Sequence, residues 1–170
     1  MSMIGNLLRV TNAELENYIR DSKLLEERVY PENYEPDPMS IDIDKSWEGL
    51  WFLLTGCGVD NMERALPPLS WSFFSGQLVD EDQDMGYGPA HYCTQAQVQQ
   101  VSNALIAISL NDFRQKFDKA DSTMRRDIYP GVLWSNGEKS FRYLEENFIL
   151  MRDFYLLASQ NGEAVITWIS

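Results

Sequence analysis

The chain has 170 residues, of which 44% are hydrophobic and 12% aromatic, so it is long and apolar enough to bury a sizeable core. It carries 14 Lys and Arg against 26 Asp and Glu, a net charge of −12, which disfavours binding to nucleic acid and to anionic membrane surfaces. We also expect no membrane-spanning helix, because no apolar run approaches the ~20 residues that one needs.

The beginning of the chain predicts a cytoplasmic protein that opens with a strand and two helices. The first ten residues lack the basic n-region and the small-residue cleavage site of a signal peptide, so we expect reduced thiols at Cys57 and Cys93. Residues 3–10 favour a strand. A helix-capping box that starts at Thr11 and a second capping signal about ten residues later predict two short helices within residues 12–30.

A proline-rich loop then leads to a short strand. Ile41 and Ile43 alternate with Asp42 and Asp44, which is the pattern of an extended segment with one buried face. Asp44 also occupies the position of an N-cap for the helix that follows, where its carboxylate would accept a backbone N–H.

The helix after this strand is predicted to be the centre of the core. Trp47, Leu50, Trp51 and Leu54 recur at i, i+3, i+4 and i+7, so they line one face of a helix. Each such side chain contributes roughly 1.5–3 kcal/mol when it is fully buried. Gly56 is expected to end this helix in a left-handed conformation.

The middle of the chain gives weaker signals. Residues 69–76 favour a short helix, with a strand as the alternative. Residues 80–88 predict an exposed acidic loop, and residues 89–93 an extended segment. Thr94 has capping-box spacing with a glutamine three residues later, and a regular apolar stripe follows it. These features predict a helix that begins directly after the extended segment.

The last third predicts the longest helix and an interior strand. Asn111 is expected to cap a short helix, and residues 127–134 to be extended with a turn. Residues 138–160 have an apolar stripe wide enough for burial on two sides, and residues 164–169 form a nearly continuous apolar run. The sequence therefore predicts an α+β fold over residues 1–170. In this single compact domain a small mixed sheet of N-terminal, central and C-terminal strands packs against several amphipathic helices.

Several blocks of sequence resemble, in order, the YfbM-like bacterial family. They are MxMIG at the N-terminus, SIDIDKSWEGLWFLLTG, GYGPAHY, TQAQV, IYPGVLW and YLEENFILMRDFYLLASQNGEAVITWI. The similarity extends from Met1 almost to Ser170. It implies a compact cytoplasmic α+β domain, and it implies no catalytic residues.

The acidic loop has three aspartates at the spacing of calcium ligands. Asp80, Asp82 and Asp84 match the first three positions of a calcium-binding loop, which also needs glycine at position six and glutamate at position twelve. Met85 and His91 occupy those two positions, so the pattern predicts a solvated acidic turn and no metal site.

His91 is the only histidine of the chain, so any mechanism that uses a histidine must use this residue. His91 and Cys93 are two residues apart on an extended segment, so both would point to one side of it. With Cys57 they could form a thiol–imidazole pair or three ligands of a zinc ion. The cysteine spacing is not that of a zinc site, and we predict partly buried side chains, no metal and no cofactor.

Carboxylates near the central helix give a second route to catalysis. Asp42 and Asp44 would share one strand face, and Glu48 lies one helical turn further on. Neighbouring carboxylates can separate their pKa values into an acid and a base. The alternative catalytic set is therefore Asp42, Asp44, Glu48 and His91, against structural roles for the same residues.

Aromatic residues after the double proline suggest a docking surface. Trp71, Phe73 and Phe74 lie close together in sequence, and Tyr87 lies between two glycines in an acidic loop. Aromatic side chains are frequent anchors of protein interfaces. We assign these four residues to a binding surface, with ordinary core packing as the alternative.

The absence of a recognisable catalytic motif and the acidic charge together favour a non-enzymatic protein-binding module. Its partner would be a basic protein, as for an immunity protein that masks a basic toxin. The alternative is an enzyme that acts on a small molecule in a pocket beside the central helix. The sequence leaves the oligomeric state open.

Overall fold

The structure is a computed structural model that describes residues 2–33, 35–120 and 124–170. A four-stranded antiparallel sheet forms its centre. The strands are β1 (Gly5–Val10), β2 (Ser40–Asp42), β3 (His91–Cys93) and β4 (Ala164–Ile169), in the order β2-β1-β4-β3. Each neighbouring pair is antiparallel. The predicted mixed sheet was wrong in this respect, because residue patterns report which face is buried and not the direction of the neighbouring strand. β4 lies inside the sheet, as predicted.

Six α-helices accompany the sheet in the part of the chain that is described. They are α1 (Asn12–Arg20), α2 (Lys23–Val29), α3 (Trp47–Thr55), α4 (Gln95–Ile106), α5 (Leu110–Lys119) and α6 (Glu138–Asn161). Short 3₁₀ helices include Asp44–Ser46, Val59–Arg64, Leu69–Ser72 and Gly131–Asn136. These elements confirm the α+β class, the two short helices near the N-terminus and the long helix near the C-terminus.

Helix α3 is the interior element that the sequence predicted. Trp47, Leu50, Trp51 and Leu54 are each at most 4% exposed. Gly56 ends the helix with φ of +78°, a conformation that glycine adopts without a steric penalty. Other residues of α3 are buried as well, so the helix is enclosed on all sides and not only along one stripe.

The two faces of the sheet pack against different partners. Leu7 and Val165 belong to the core that α3 shares with α4, α5 and α6. Leu8 and Ile166 belong to a second core, formed with α1, α2 and the loop that precedes β3. Successive residues of a strand point to opposite faces, which explains this division.

The predicted cap of α3 was wrong. Asp44 has φ of +49° and begins a 3₁₀ turn, and α3 starts only at Trp47. The carboxylate of Asp44 instead accepts a hydrogen bond of 2.8 Å from the hydroxyl of Tyr143. Because β2 ends at Asp42, Asp42 and Asp44 do not share a strand face, and the predicted carboxylate pair is not formed.

Two other local predictions differ from the structure. The segment expected to be extended around residues 127–134 contains the 3₁₀ helix Gly131–Asn136. Ser109 rather than Asn111 caps α5, through a capping box with Asp112. In both places a short polar residue or a glycine could be assigned to more than one turn geometry.

The acidic loop is held against the second core. Met85 is buried, and its carbonyl accepts a hydrogen bond of 2.8 Å from the hydroxyl of Tyr30. Asp80 accepts a hydrogen bond of 2.7 Å from the hydroxyl of Ser22. The loop is therefore anchored rather than freely solvated. Of the helices that the structure describes, none is long and apolar enough to cross a membrane.

Candidate functional site

A cavity of about 320 Å³ opens beside the central helix, between α3, residues 62–76 and strand β3. We call it the aromatic cleft, and we define it by its lining residues Trp51, Met62, Trp71, Phe74, Gly76 and His91. It draws on parts of the chain that are up to 40 residues apart. The sequence could therefore indicate which aromatic residues are candidates, but it could not show that they lie close together in the folded protein.

The aromatic walls of this cleft are fixed by contacts with the core. The indole N–H of Trp51 donates a hydrogen bond of 3.0 Å to the carbonyl of Ser70. The ring of Phe74 stands edge-on to the ring of Trp51, with centroids 5.3 Å apart, and edge-on to His91 at 5.4 Å. Rings held in this way form a preformed apolar surface, so a ligand would bind without ordering them.

His91 supplies the polar group of the cleft. Its Nδ1 accepts a hydrogen bond of 3.2 Å from the backbone N–H of Gly76, which leaves the ring proton on Nε2. Burial lowers the pKa of His91 to about 4, so the ring is neutral at pH 7. A neutral imidazole in this tautomer presents a hydrogen-bond donor at Nε2.

Cys93 is on the same strand as His91, but its thiol is not activated. Its thiol donates to the carbonyl of Trp71 over 3.3 Å, and burial raises its pKa to about 12. A thiolate is the reactive form of cysteine, so Cys93 is not an activated nucleophile. Cys57 is buried and unpaired as well, and no cluster of metal-binding side chains occurs among the residues described.

The segment from residue 63 to residue 67 borders the cleft with both apolar and charged residues. Ala65 and Pro67 line the cleft, and between them Leu66 is 76% exposed. Glu63 also lines the cleft and forms a solvent-exposed ion pair of 3.5 Å with Arg64. No sequence pattern marks Leu66 or Met62 as part of a site, apart from the nearby Pro67-Pro68 break.

Glu48 lies outside the cleft and connects two loops to α3 through hydrogen bonds. It is 5% exposed, and its carboxylate accepts one hydrogen bond of 2.8 Å from the N–H of Val59 and another from the N–H of Tyr129. Burial raises the pKa of Glu48, and the two hydrogen bonds oppose that shift. Both oxygens are occupied by backbone donors, which is the arrangement of a structural carboxylate.

The other predicted carboxylates are also separate from the cleft. Asp42 is exposed at the end of β2, and its carboxylate accepts a hydrogen bond of 3.2 Å from the N–H of Asp44. Of the four residues in the alternative catalytic set, only His91 lines the aromatic cleft; Glu48 lines a separate cavity of about 110 Å³ beside α3, and Asp42 lines a larger cavity at the sheet.

The predicted docking surface is divided in the structure. Trp71 and Phe74 lie in the aromatic cleft, but Phe73 is only 2% exposed and stacks on Trp47 in the core. Its assignment to an exposed surface was wrong, because the 3₁₀ turn before it rotates neighbouring residues to opposite sides. Tyr87 is exposed in the acidic loop and is not part of the cleft.

A larger cavity of about 680 Å³ lies between β1, β2 and the segment after α2. Several of its polar side chains are paired, although the buried indole N–H of Trp168 has no hydrogen-bond partner among the residues described. Arg28 bonds to Asp37 at 2.7 Å and also contacts the hydroxyl of Tyr18. Asn6 donates hydrogen bonds of 3.0 Å to Ser170 and to a backbone carbonyl. The aromatic cleft is the stronger candidate for an apolar ligand because its walls are mostly aromatic and apolar, whereas charged and amide side chains line much of the larger cavity.

Comparison with known proteins agrees with the resemblance seen in the sequence. The sequence model of a family described as "Domain of unknown function (DUF1877)" matches residues 1–168. The fold is similar to that of a solved structure titled "The Crystal Structure of a Protein of Unknown Function YfbM from Escherichia coli". The TM-score is 0.71 at 19% sequence identity, and the alignment covers 98% of this chain and 99% of that chain. No curated protein matches the chain.

Proposed function

We propose a function for this chain, which belongs to the family described as a domain of unknown function (DUF1877), from the geometry of its own surface. Residues 1–170 form a single-domain, non-enzymatic binding module of the bacterial cytoplasm. Its aromatic cleft receives an apolar side chain from a basic protein partner. An immunity protein that masks a basic toxin is one kind of protein that would bind a basic partner in this way.

The observation that carries the proposal is the preformed cleft with its apolar rim. Aromatic walls at Trp51, Trp71 and Phe74 are held open by core contacts, and Leu66 extends the apolar surface beyond the cleft. A single large apolar side chain gains roughly 1.5–3 kcal/mol when it leaves water for such a site. Anchors of this type, seated in a pocket, dominate the energetics of many protein interfaces.

The charge of the protein supports a basic partner. The net charge is −12 at pH 7, and the field of such a surface attracts cationic proteins over distances of about a Debye length, ~8 Å at physiological salt. Electrostatic attraction of this kind mainly accelerates association. The two unpaired cysteines, Cys57 and Cys93, support a reducing compartment.

The main observation in favour of the enzymatic alternative is the position of His91 in a cavity beside α3. A general base needs a pKa near the working pH, however, and burial holds the pKa of His91 at about 4. Its Nδ1 is occupied by a backbone donor rather than by an orienting carboxylate. These features suit a fixed hydrogen-bond donor better than a catalytic base.

Selection from a random peptide library on the immobilised protein tests this proposal. We expect enrichment of peptides that carry one aromatic or large aliphatic residue flanked by Lys and Arg. The same peptides should bind weakly to Leu66→Ser. They should bind normally to Val132→Ser, which changes an equally exposed apolar residue outside the cleft; Val132 is 69% exposed.

Two results would contradict the proposal. One is a selection that yields no peptides, or peptides without basic residues. The other is a set of peptides whose affinity is the same for the native protein, Leu66→Ser and Val132→Ser.

A further inference from the structure

Among the described residues, Glu63 is the only charged side chain that lines the aromatic cleft. Ser70, Trp71 and His91 contribute polar groups that are neutral, since burial lowers the pKa of His91 to about 4. Neutral groups of this kind form hydrogen bonds with many ligands, but they do not attract a cation in preference to an uncharged group. The charge preference of the cleft therefore depends on Glu63.

The carboxylate of Glu63 is available to a further partner. The ion pair that it forms with the adjacent Arg64 spans 3.5 Å, and the two side chains are 68% and 75% exposed. An exposed pair of this kind contributes little to stability, because water and side-chain entropy offset the Coulomb attraction. A cation that a partner brings to the cleft therefore meets a carboxylate that is only weakly paired.

An interruption in the 3₁₀ helix Val59–Arg64 separates its two acidic residues. Asn61 departs from helical geometry, with φ of −137° and ψ of 31°. Asp60, which precedes this residue, lines the separate cavity of about 110 Å³, whereas Glu63, which follows it, lines the aromatic cleft. Of these two carboxylates, only that of Glu63 is next to the aromatic walls.

We infer that Glu63 binds the basic residue next to the apolar anchor of the partner, so that the cleft is specific for an anchor with an adjacent Lys or Arg. This inference depends on the proposed function and adds the contact that distinguishes a basic partner from a neutral one. Because Glu63 and the aromatic walls border one cavity of about 320 Å³, a residue directly beside the anchor brings its side chain within reach of the carboxylate.

The anchor itself strengthens this contact. When an apolar side chain fills the cleft, it displaces water from the neighbourhood of Glu63 and lowers the local dielectric constant, which increases the attraction between the carboxylate and a cation. A neutral residue beside the anchor would leave the partly desolvated carboxylate without compensation. Both effects favour a cation over an uncharged residue of the same shape.

The test compares two peptides, acetyl-Arg-Phe-Arg-amide and the same peptide with citrulline in place of both arginines. Citrulline has nearly the shape of arginine but is uncharged, so the pair isolates the effect of the cation. The affinities of both peptides for the native protein, Glu63→Gln and Asp60→Asn are measured by NMR titration. Asp60→Asn is the matched control, because it removes one negative charge from an exposed position of the same 3₁₀ helix outside the cleft.

We expect the native protein to prefer the arginine peptide, and Glu63→Gln to reduce this preference about two- to fivefold, the range that an exposed ion pair supplies. Asp60→Asn should reduce it much less, because solvent and salt screen a charge outside the cleft. The difference between the two variants should shrink when the salt concentration is raised from about 50 mM to about 500 mM. A purely structural effect of Glu63→Gln would not depend on salt in this way.

The outcomes separate the two proposals. If the native protein binds both peptides equally well, or if the two variants lose the same part of the arginine preference, the inference about Glu63 is overturned and apolar binding in the cleft stands. If neither peptide shifts the resonances of Trp51 and Trp71, the cleft is not a binding site and both proposals are overturned.

Discussion

The backbone N–H of Gly76 donates to Nδ1 of His91 over 3.2 Å, and this bond fixes the tautomer of the only histidine in the chain. The bond connects the edge strand β3 to the segment that forms the wall of the aromatic cleft. It leaves the ring proton on Nε2, and burial of the ring lowers the pKa of His91.

We predict that His91 titrates near pH 4 instead of near its ordinary value of 6.5. In the unfolded chain the ring takes up a proton near pH 6.5, whereas the folded protein resists protonation until about pH 4. The free energy of unfolding should therefore fall as the pH decreases through this window, by about 2 kcal/mol after allowance for partial exposure. NMR titration of the ring gives the pKa directly.

The control for this pH dependence is His91→Phe. Between pH 6.5 and pH 4 the free energy of unfolding of this variant should fall less than that of the native protein. The fall that other acidic groups cause should be the same in both proteins. A midpoint for His91 above pH 6 would show that the ring is not held neutral by burial.

We predict that Glu48→Gln destabilises the protein by about 1–3 kcal/mol, measured by chemical denaturation. Both oxygens of Glu48 accept backbone N–H groups, from Val59 and from Tyr129. A glutamine offers one acceptor oxygen and turns an NH₂ group toward the other N–H, which leaves a buried donor unsatisfied. Glu27→Gln, the same change at an exposed position, should stay within about 0.5 kcal/mol of the native protein. Equal stabilities of the two variants would argue against the structural role of Glu48.

We predict that Leu66→Ser weakens the binding of selected basic peptides by about five- to tenfold without affecting stability. Leu66 is 76% exposed and lies between two residues that line the cleft, so its replacement costs little in the free protein. A loss of this size corresponds to about 1 kcal/mol of apolar contact with the peptide. Calorimetric titration of the native protein, Leu66→Ser and Val132→Ser measures the effect, and an equal loss in both variants would mean that the rim has no special role.

We predict that Cys93 resists alkylation in the native protein at pH 8. Its pKa is raised to about 12, and its thiol is bonded to the carbonyl of Trp71. Iodoacetamide labelling followed by mass spectrometry should modify Cys93 only after denaturation. Rapid labelling of the folded protein would reveal an accessible thiolate and would revive the enzymatic alternative.

The core of this fold could be predicted from the sequence because its signals are local and repeated. The stripe of Trp47, Leu50, Trp51 and Leu54 needs only helical spacing, and the continuous apolar run of β4 needs only its β-forming residues. Capping boxes at Thr11 and Thr94 likewise depend on residues three positions apart, and both are present.

The cleft could not be predicted, because it depends on long-range placement. Trp51 was assigned to the core, which is correct, but one side of its ring also lines the cavity. Asp44 was misassigned because a 3₁₀ turn begins at this residue, and Phe73 was misassigned because a 3₁₀ turn ends directly before it. Short turns of this kind have weak sequence signals.

The most direct test of the central claim is a ¹H–¹⁵N NMR titration of the native protein with a short peptide that has one tyrosine flanked by lysines. If the aromatic cleft is the binding site, the largest shifts will be those of the Trp51 indole N–H and of the backbone amides of Trp71 and Gly76. Shifts concentrated instead at Asn6 and Trp168, which line the larger cavity, would contradict the account. A spectrum that the peptide does not change at all would contradict it equally.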